Sequence, residues 1–583
     1  MKPLRFIVVA DSHIRLPGDD VDTYPSNALM VLRNEYVVNL CNRIDAEFVI
    51  HLGDIVHPLP VEPGHEAAVL LARSVYEPLT HPVHFTPGNH DIGDKPNALV
   101  AVPPVADENY AIYERYWGAA HRSFDVGNSH FAIVDTPVLN SGLEREALQR
   151  TWIEDDLRQA QVAGRRIFLF SHYPPFIRDR SEEENYDNLG EPARTWLLDL
   201  ISDHSVEALF SGHVHNFLYN HHSGADLYVL PATGFVRPDY SELSAVAPER
   251  EGGRDDPPKL GFFVVDVVED GHHVRPIRTF GYTSQEVEPP VPLATALQPN
   301  WQSPVGVTLR HGWAATIDFP TSGLDEFNRK AVRSDATLAA VWEARITGVK
   351  VPVADVTGAD RAERIRHLTG RGMRFTVRSA GVPNASTCSA IASLASVLAR
   401  WEIITSPETF EEVVAAIAEG NLPIDLALAI GPIVSIGSAD SSVHHFVSSG
   451  FAPDGDETLT RWLEADTGGR FAELVFRADG GQTAAEDVSA AGSTASRSHR
   501  RAIVNVELPR GGESLAFVDD QFLGEVVAGA VAAAREHPEV AVFLDGFMDH
   551  DRGYYPHHGL IDRHHNPRPA LYRLMVEAAR EPR

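Results

Sequence analysis

Five short clusters within residues 1–215 carry side chains that can do chemistry. They are Asp11-Ser12-His13, Gly53-Asp54, Gly88-Asn89-His90-Asp91, Ser171-His172 and Gly212-His213-Val214-His215. Each stands where an apolar run ends. Together they supply carboxylates, imidazoles and one carboxamide, a donor set for two adjacent hard or borderline metal ions. Two such ions about 3.5–4 Å apart form a hydrolytic centre for phosphate esters. That reaction needs a water deprotonated near neutral pH, charge on the phosphoryl oxygens neutralised, and the leaving oxygen protonated. Paired metals deliver the first two, and a nearby imidazole the third. Asp54 is best suited to bridge two ions, because a bridge needs two oxygens bearing lone pairs. Asn89 offers a neutral carbonyl oxygen, and the histidines offer neutral nitrogens. Gly53, Gly88 and Gly212 directly precede candidate ligands, as tight turns and close backbone approach demand.

The elements that position these clusters are apolar strands. Phe6–Ala10 ends at Asp11, Glu47–Leu52 at Gly53-Asp54, Val83–Thr86 near Gly88, Ile167–Phe170 at Ser171-His172 and Glu207–Phe210 at Gly212-His213. Helical stretches over Asn27–Arg43, Glu66–Tyr76 and Arg145–Ala163 separate them, so the strands are expected to be covered on both faces. Open α/β sheets place their sites at such strand ends. Gly127-Asn128 predicts a hairpin joining Arg122–Val126 to Ser129–Val134. Further antiparallel pairs are expected around His221–Gly224 and Asp270-Gly271. The polar stretch 241–259 reads as a mobile loop, and the Pro-rich stretch 284–304 as a stiff linker. The expected domains are therefore 1–283 and 305–583.

The second half alternates strand and helix patterns. The strand patterns are Val305–Arg310, Val349–Val353, Arg374–Arg378, Trp401–Thr405, Ile424–Ala429, Glu473–Arg477, Ile503–Leu508 and Val540–Leu544. Roughly 280 residues with this alternation is the size of a (β/α)₈ barrel. Residues 480–500, rich in Ala, Ser, Gly and Thr, read as a flexible insert. Asp355, Arg378, Asp479, Glu507, Asp545 and Asp549 fall near strand C-termini, where such barrels place their sites.

The five clusters, complete and in order, resemble the signature of calcineurin-like metallophosphoesterases. The His after the first Asp and the Asp closing Gly-Asn-His-Asp are similar to the class III cyclic-nucleotide phosphodiesterase and glycerophosphodiesterase branch. The resemblance spans roughly residues 5–281 and implies an αββα sandwich. It implies that Asp11, His13 and His215 bind one ion, that Asn89, His172 and His213 bind the other, and that Asp54 bridges them. The ions implied are manganese, iron or zinc, with a metal-bridging hydroxide attacking phosphorus in line. His90 then acts on the phosphate or leaving oxygen, and Asp91 either orients His90 or caps the following segment. A tyrosine ligand shortly after Gly-Asp, as in purple acid phosphatases, is absent: Ile55-Val56-His57 follows. The end of the second half weakly resembles sugar-hydrolase barrels.

The formal net charge of -31 argues against nucleic acid polymers and anionic membranes as partners. No apolar run reaches the roughly 20 residues that span a bilayer, and the N-terminus shows no signal pattern, so a cytoplasmic location is expected. Cys41 and Cys388 are unrelated in spacing and read as buried small hydrophobes. Substrate selection is expected from segments 92–118, 174–190 and 232–237; His57 and His222 read as surface histidines. With no basic cluster for a terminal dianion, the expected substrate is a small phosphodiester. The alternatives are a phosphomonoester and a bifunctional protein whose barrel binds or hydrolyses a carbohydrate-linked substrate. A barrel without chemistry of its own would cover the phosphoesterase site or build a homo-oligomer.

Overall fold

The computed structural model describes residues 3–97, 102–244, 250–286, 288–298, 301–309, 313–322, 325–434, 448–466, 468–479, 484–508, 519–549 and 558–580. The chain forms two compact units. One is Met1–Leu293 with Thr316–Ala339, and the other is Ala294–Ala315 with Ala340–Arg583.

The first unit is built on strands β1 (Leu4–Val9), β2 (Phe48–His51), β3 (Val83–Phe85), β4 (Arg122–Val126), β5 (Ser129–Val134), β6 (Arg166–Ser171), β7 (Ala208–Ser211), β8 (Leu218–His222), β9 (Ala225–Val229), β10 (Gly261–Val268) and β11 (Gly271–Arg278). One sheet has the order β11-β10-β1-β2-β3 and the other β4-β5-β6-β7-β9-β8. The inner strands β1-β2-β3 and β5-β6-β7-β9 run parallel, and antiparallel strands close the edges. The sheets meet through aromatic rings. Phe6 stacks on Phe48 at 5.1 Å and meets Phe131, Phe168, Phe170 and Phe210 edge-on at 5.4–6.0 Å. Such packing contributes beyond the area buried. Helix Glu144–Val162 and helix Ala193–Asp203 bury Ile153, Leu157, Leu197 and Ile201 against the second sheet. Helices Met30–Cys41 and His65–Tyr76 supply Val38, Ala68, Val69 and Ala72 to the core on the other side. The result is the expected αββα sandwich.

The second unit contains β12 (Gly306–Thr308). The next two strands, β13 (Thr316–Ser322) and β14 (Asp325–Arg333), form a hairpin. Then come β15 (Gly348–Pro352), β16 (Arg374–Ala380), β17 (Leu398–Thr405), β18 (Leu428–Val434), β19 (Ser448–Ser449), β20 (Glu473–Asp479), β21 (Arg501–Glu507) and β22 (Ala541–Asp545). Strands β12, β15, β16, β17, β18, β20, β21 and β22 pair in parallel and close into a ring, a (β/α)₈ barrel. Ala429, Val475, Ile503 and Phe543 form an apolar cluster. Above it Lys350, fully buried, pairs with Glu402 and donates to Asn505 Oδ1 at 2.6 Å.

Several expectations are corrected. The hairpin β13–β14 follows the first barrel strand, yet it belongs to the first unit. Its Phe319 and Val332 are buried with Val214, Leu218 and Tyr240, which fixes it to the sandwich. Residues 484–497 of the expected flexible insert are a helix, with Glu486 and Asp487 in its first turn and Arg497 in its last, matching the helix dipole. The described parts of 241–259 are held in place: Arg254 is buried on the Phe235 ring, and Asp255 pairs with Arg33 at 2.8 Å. The linker contains a helix, Leu293–Leu297. The fifth barrel strand begins at Leu428, because Ile424 is exposed and precedes it in a turn. Among the described residues no helix is long and apolar enough to cross a membrane.

Candidate metal centre

The clusters converge at the ends of β1, β2, β6 and β7. Five of their residues hold left-handed backbone: Asp11, His13, Asp54, His213 and His215, with φ from 44° to 69°. Non-glycine residues rarely adopt this region, and such strain collects where function requires it. The loops are pressed together. Gly53 has φ +95°, and a Cβ there would lie 2.6 Å from Gly88 N; one on Gly88 would lie 2.2 Å from Asp54 N. Only glycine fits either position. The β1 extension lies along the β2 loop, with Asp11 N donating to Gly53 O and His13 N to Asp54 O. Ser12 Oγ donates to Ile55 O at 2.8 Å and also contacts His51 Nε2 at 2.9 Å.

Three donor groups result, each with its ligand atoms within 4.8 Å of one another: Asp11, His13, Asp54 and His215; Asp54, His172 and His213; and, at the rim, His13, His57 and His90. Asp54 belongs to the first two, the fully buried ones. Its Oδ2 lies 3.3 Å from His13 Nε2 and its Oδ1 lies 3.3 Å from His172 Nε2. Asn89 Oδ1 joins the second group, 2.9 Å from His172 Nε2 and 3.0 Å from His213 Nδ1. Three imidazoles are aimed by backbone carbonyls. His172 Nδ1 faces Leu52 O at 2.8 Å, His215 Nδ1 faces Phe235 O at 2.9 Å, and His213 Nε2 faces Tyr186 O at 3.1 Å. A proton held there leaves the other ring nitrogen a lone pair directed inward.

The donor set fits two cations. Asp11, Asp54 and Asp91 are buried together. Burial pushes Asp11 well above the usual carboxylate range, whereas for Asp54 the fields of His172 and His90 outweigh burial and hold it well below. Burial lowers His13 to about 3 and drives His213 and His215 well down, so these rings are neutral. Of these rings only His172 rises, to about 9, because the field and hydrogen bond of Asp54 outweigh burial. The Nε2 atoms of His13 and His215 face each other at 3.0 Å. Buried carboxylates with inward-facing imidazole nitrogens form a donor set suited to divalent metal.

His90 lies against this centre, its ring 4.7 Å from that of His13, and its Nδ1 is tied to the His57 carbonyl. Asp91 does not orient it. Asp91 takes the other expected place, capping the following segment: its Oδ2 accepts from Gly88 N at 2.8 Å, and its Oδ1 accepts from Ile55 N at 3.1 Å, so it also joins the Gly53 and Gly88 loops. His57 is also corrected. It is half-buried at the centre, with Nδ1 3.2 Å from His13 Nδ1. Its backbone N donates to Ile14 O and so extends the pairing that aligns His13. His222 instead meets Ser202 Oγ at 3.0 Å at the end of β8.

Of the expected substrate segments, Tyr110 and Tyr113 pin their own region: they donate to Asp135 Oδ2 at 2.6 Å and Phe85 O at 3.0 Å. Tyr186 does face the centre, its ring 4.8 Å from His213, as does Phe235, 4.6 Å from His215 and 4.9 Å from His13. In the barrel, Glu507 and Asp545 are register neighbours, and Ser448 Oγ donates to Glu507 at 2.6 Å. Asp355 takes Trp313 Nε1 at 2.7 Å, and Asp549 takes Gly559 N at 2.7 Å and pairs with Arg568.

Residues 4–217 match the family model of the calcineurin-like phosphoesterases. The chain is similar to serine/threonine-protein phosphatase CPPED1 of Bos taurus, 28% identical over 208 residues, covering 34% of this chain and 64% of the relative. The Danio rerio form is 31% identical over 193 residues, covering 32% and 60%. The chain thus spans under two thirds of the length of these relatives. Among solved structures it is similar to a dimetal phosphatase from Danio rerio, at 16% identity and a TM-score of 0.34, covering 48% of this chain and 97% of that one.

Proposed function

We propose that this chain, whose residues 4–217 form a calcineurin-like phosphoesterase domain, hydrolyses a phosphoester, and that its substrate is a small phosphodiester. The observation that carries the reading is the shared Asp54, which turns one carboxyl oxygen toward each buried donor group. In this reading Asp11, His13, Asp54 and His215 hold one ion, and Asp54, Asn89, His172 and His213 hold the other. Bound divalent ions supply Lewis acidity toward the phosphoryl oxygens and a nucleophile at neutral pH. The chain does the rest. Carbonyls of Leu52, Tyr186 and Phe235 orient the imidazoles. His90, with Nδ1 engaged, presents Nε2 for proton transfer to the leaving oxygen. Tyr186 and Phe235 wall the centre with apolar surface.

The ester type follows from charge. Arg237 is neutralised by Asp187 and by Asp239 at 2.7 Å, and Lys95 faces Glu184 at 3.6 Å, which suits a singly charged diester. One observation favours the doubly charged monoester: Arg15 is buried two residues beyond His13, its Nε has no hydrogen-bond partner among the described residues, and Asp20 is 4.0 Å away. The relatives' name as protein phosphatases points the same way. The test is turnover of bis-p-nitrophenyl phosphate and p-nitrophenyl phosphate by Mn²⁺-loaded protein, with and without EDTA. The expected result is chelator-sensitive turnover with the larger kcat/KM on the diester. Turnover indifferent to EDTA would contradict the metal reading. A monoester preference that collapses in Arg15→Gln would replace diester by monoester.

A further inference from the structure

We propose that Lys330, on the β13–β14 hairpin, is a positioning residue for the candidate metal centre: through Asp187 it holds the Tyr186–Asp187 step against His213. Lys330 lies far beyond residues 4–217, which match the phosphoesterase family model. The chain reaches it only after passing through β12, then returns to the barrel at β15.

The chain of contacts is continuous. Lys330 Nζ is buried, pairs with Asp187 and lies 3.1 Å from Asp239 Oδ2. It also sits over the Tyr240 ring at 4.7 Å and the Phe319 ring at 5.1 Å. Asp187 is fully buried; Tyr240 Oη donates to it at 2.6 Å, and its Oδ1 pairs with Arg237 and lies 4.0 Å from His213 Nε2. One residue earlier, the Tyr186 carbonyl lies 3.1 Å from that same His213 nitrogen. The step is clamped from its other side by a second buried lysine, Lys95, which donates to Asn185 O at 2.9 Å. Packing points the same way. Phe319 and Val332 of the hairpin share a buried cluster with Val214, the residue between His213 and His215.

Without Lys330, the fully buried Asp187 keeps Arg237 on Oδ1 and the Tyr240 hydroxyl on Oδ2 but loses the cation on Oδ2. The carboxylate and its loop must then shift, and the proton of His213 loses its fixed acceptor. Groups that orient a metal-binding imidazole in this way are worth roughly 10–100-fold in metal affinity or activity. The hairpin therefore makes the metal centre depend on sequence that follows the first barrel strand.

The inference rests on the dimetal reading, and the experiment separates the two. Mn²⁺ binding to the full-length chain is measured by calorimetry, with melting temperature alongside, for wild type, Lys330→Met, Lys330→Arg and Ile317→Thr, an exposed position on the same hairpin. Wild type is expected to bind two ions. Lys330→Met is expected to weaken one of the two binding steps at least about tenfold, Lys330→Arg to recover most of that loss, and Ile317→Thr to match wild type. A folded Lys330→Met protein with the wild-type isotherm would overturn the proposal, even if it melts earlier. Wild type that binds no Mn²⁺ would overturn both readings. If Lys330→Met does not fold, Asp187→Asn tests the same link from the other end, and unchanged affinity there would count equally against it.

Discussion

His90 and Asp91 are neighbours in the chain with separate tasks. His90 faces the reacting centre and binds no metal in the proposed scheme, so His90→Ala should lower kcat by about 10²–10⁴ while two Mn²⁺ ions still bind. Single-turnover kinetics with calorimetry would check both halves; loss of the ions would make His90 a ligand instead. Asp91→Ala should act through structure, leaving the buried amides of Gly88 and Ile55 without their acceptor. The cost is about 1–3 kcal/mol per unpaired group, read as a lower urea midpoint. The seven donors were legible because they cluster just beyond apolar runs, five of them directly after a glycine or serine. His57 was not, because a histidine three residues beyond a ligand carries no mark of which way it points. Lys330 was illegible for another reason: nothing local pairs residue 330 with residue 187.

Aromatic interleaving holds the two sheets of the first unit together, and Phe131 stands at its middle, stacked on Phe168 and edge-on to Phe6. Phe131→Ala should destabilise this unit by about 3–5 kcal/mol, measured by urea unfolding. A second prediction concerns Asp135, at the end of β5, whose carboxyl burial pushes up to about 7 although Tyr110 donates to it. A carboxyl raised on folding stabilises most while protonated in both states. That contribution is therefore full below pH about 4 and is lost as pH climbs through about 7. The stability difference between wild type and Asp135→Asn should shrink over that range; a difference flat from pH 4 to 8 would contradict it. At this scale the barrel strands were legible from apolar runs of strand length. The helix at 484–497 was missed because its small residues read as low complexity, although alanine is also the strongest helix former. The β13–β14 hairpin was missed because its alternation says only that one face is buried, not in which unit.

For the whole molecule, the two compact units are a sandwich with the candidate metal centre and a closed barrel, and the hairpin assigns part of the later sequence to the first. Since ions bind the folded centre and not the unfolded chain, saturating Mn²⁺ should stabilise the first unit by about 2.7 kcal/mol at a hundredfold excess over the dissociation constant, and EDTA should reverse it. The barrel should be unaffected, so a two-step melt should show only one transition moving. The account as a whole is tested most directly by anomalous diffraction from Mn²⁺-loaded crystals. It predicts two manganese peaks about 3.5–4 Å apart, one beside Asp11, His13 and His215, the other beside Asn89, His172 and His213, with Asp54 between them. A single peak there, or none at saturating Mn²⁺, would contradict it.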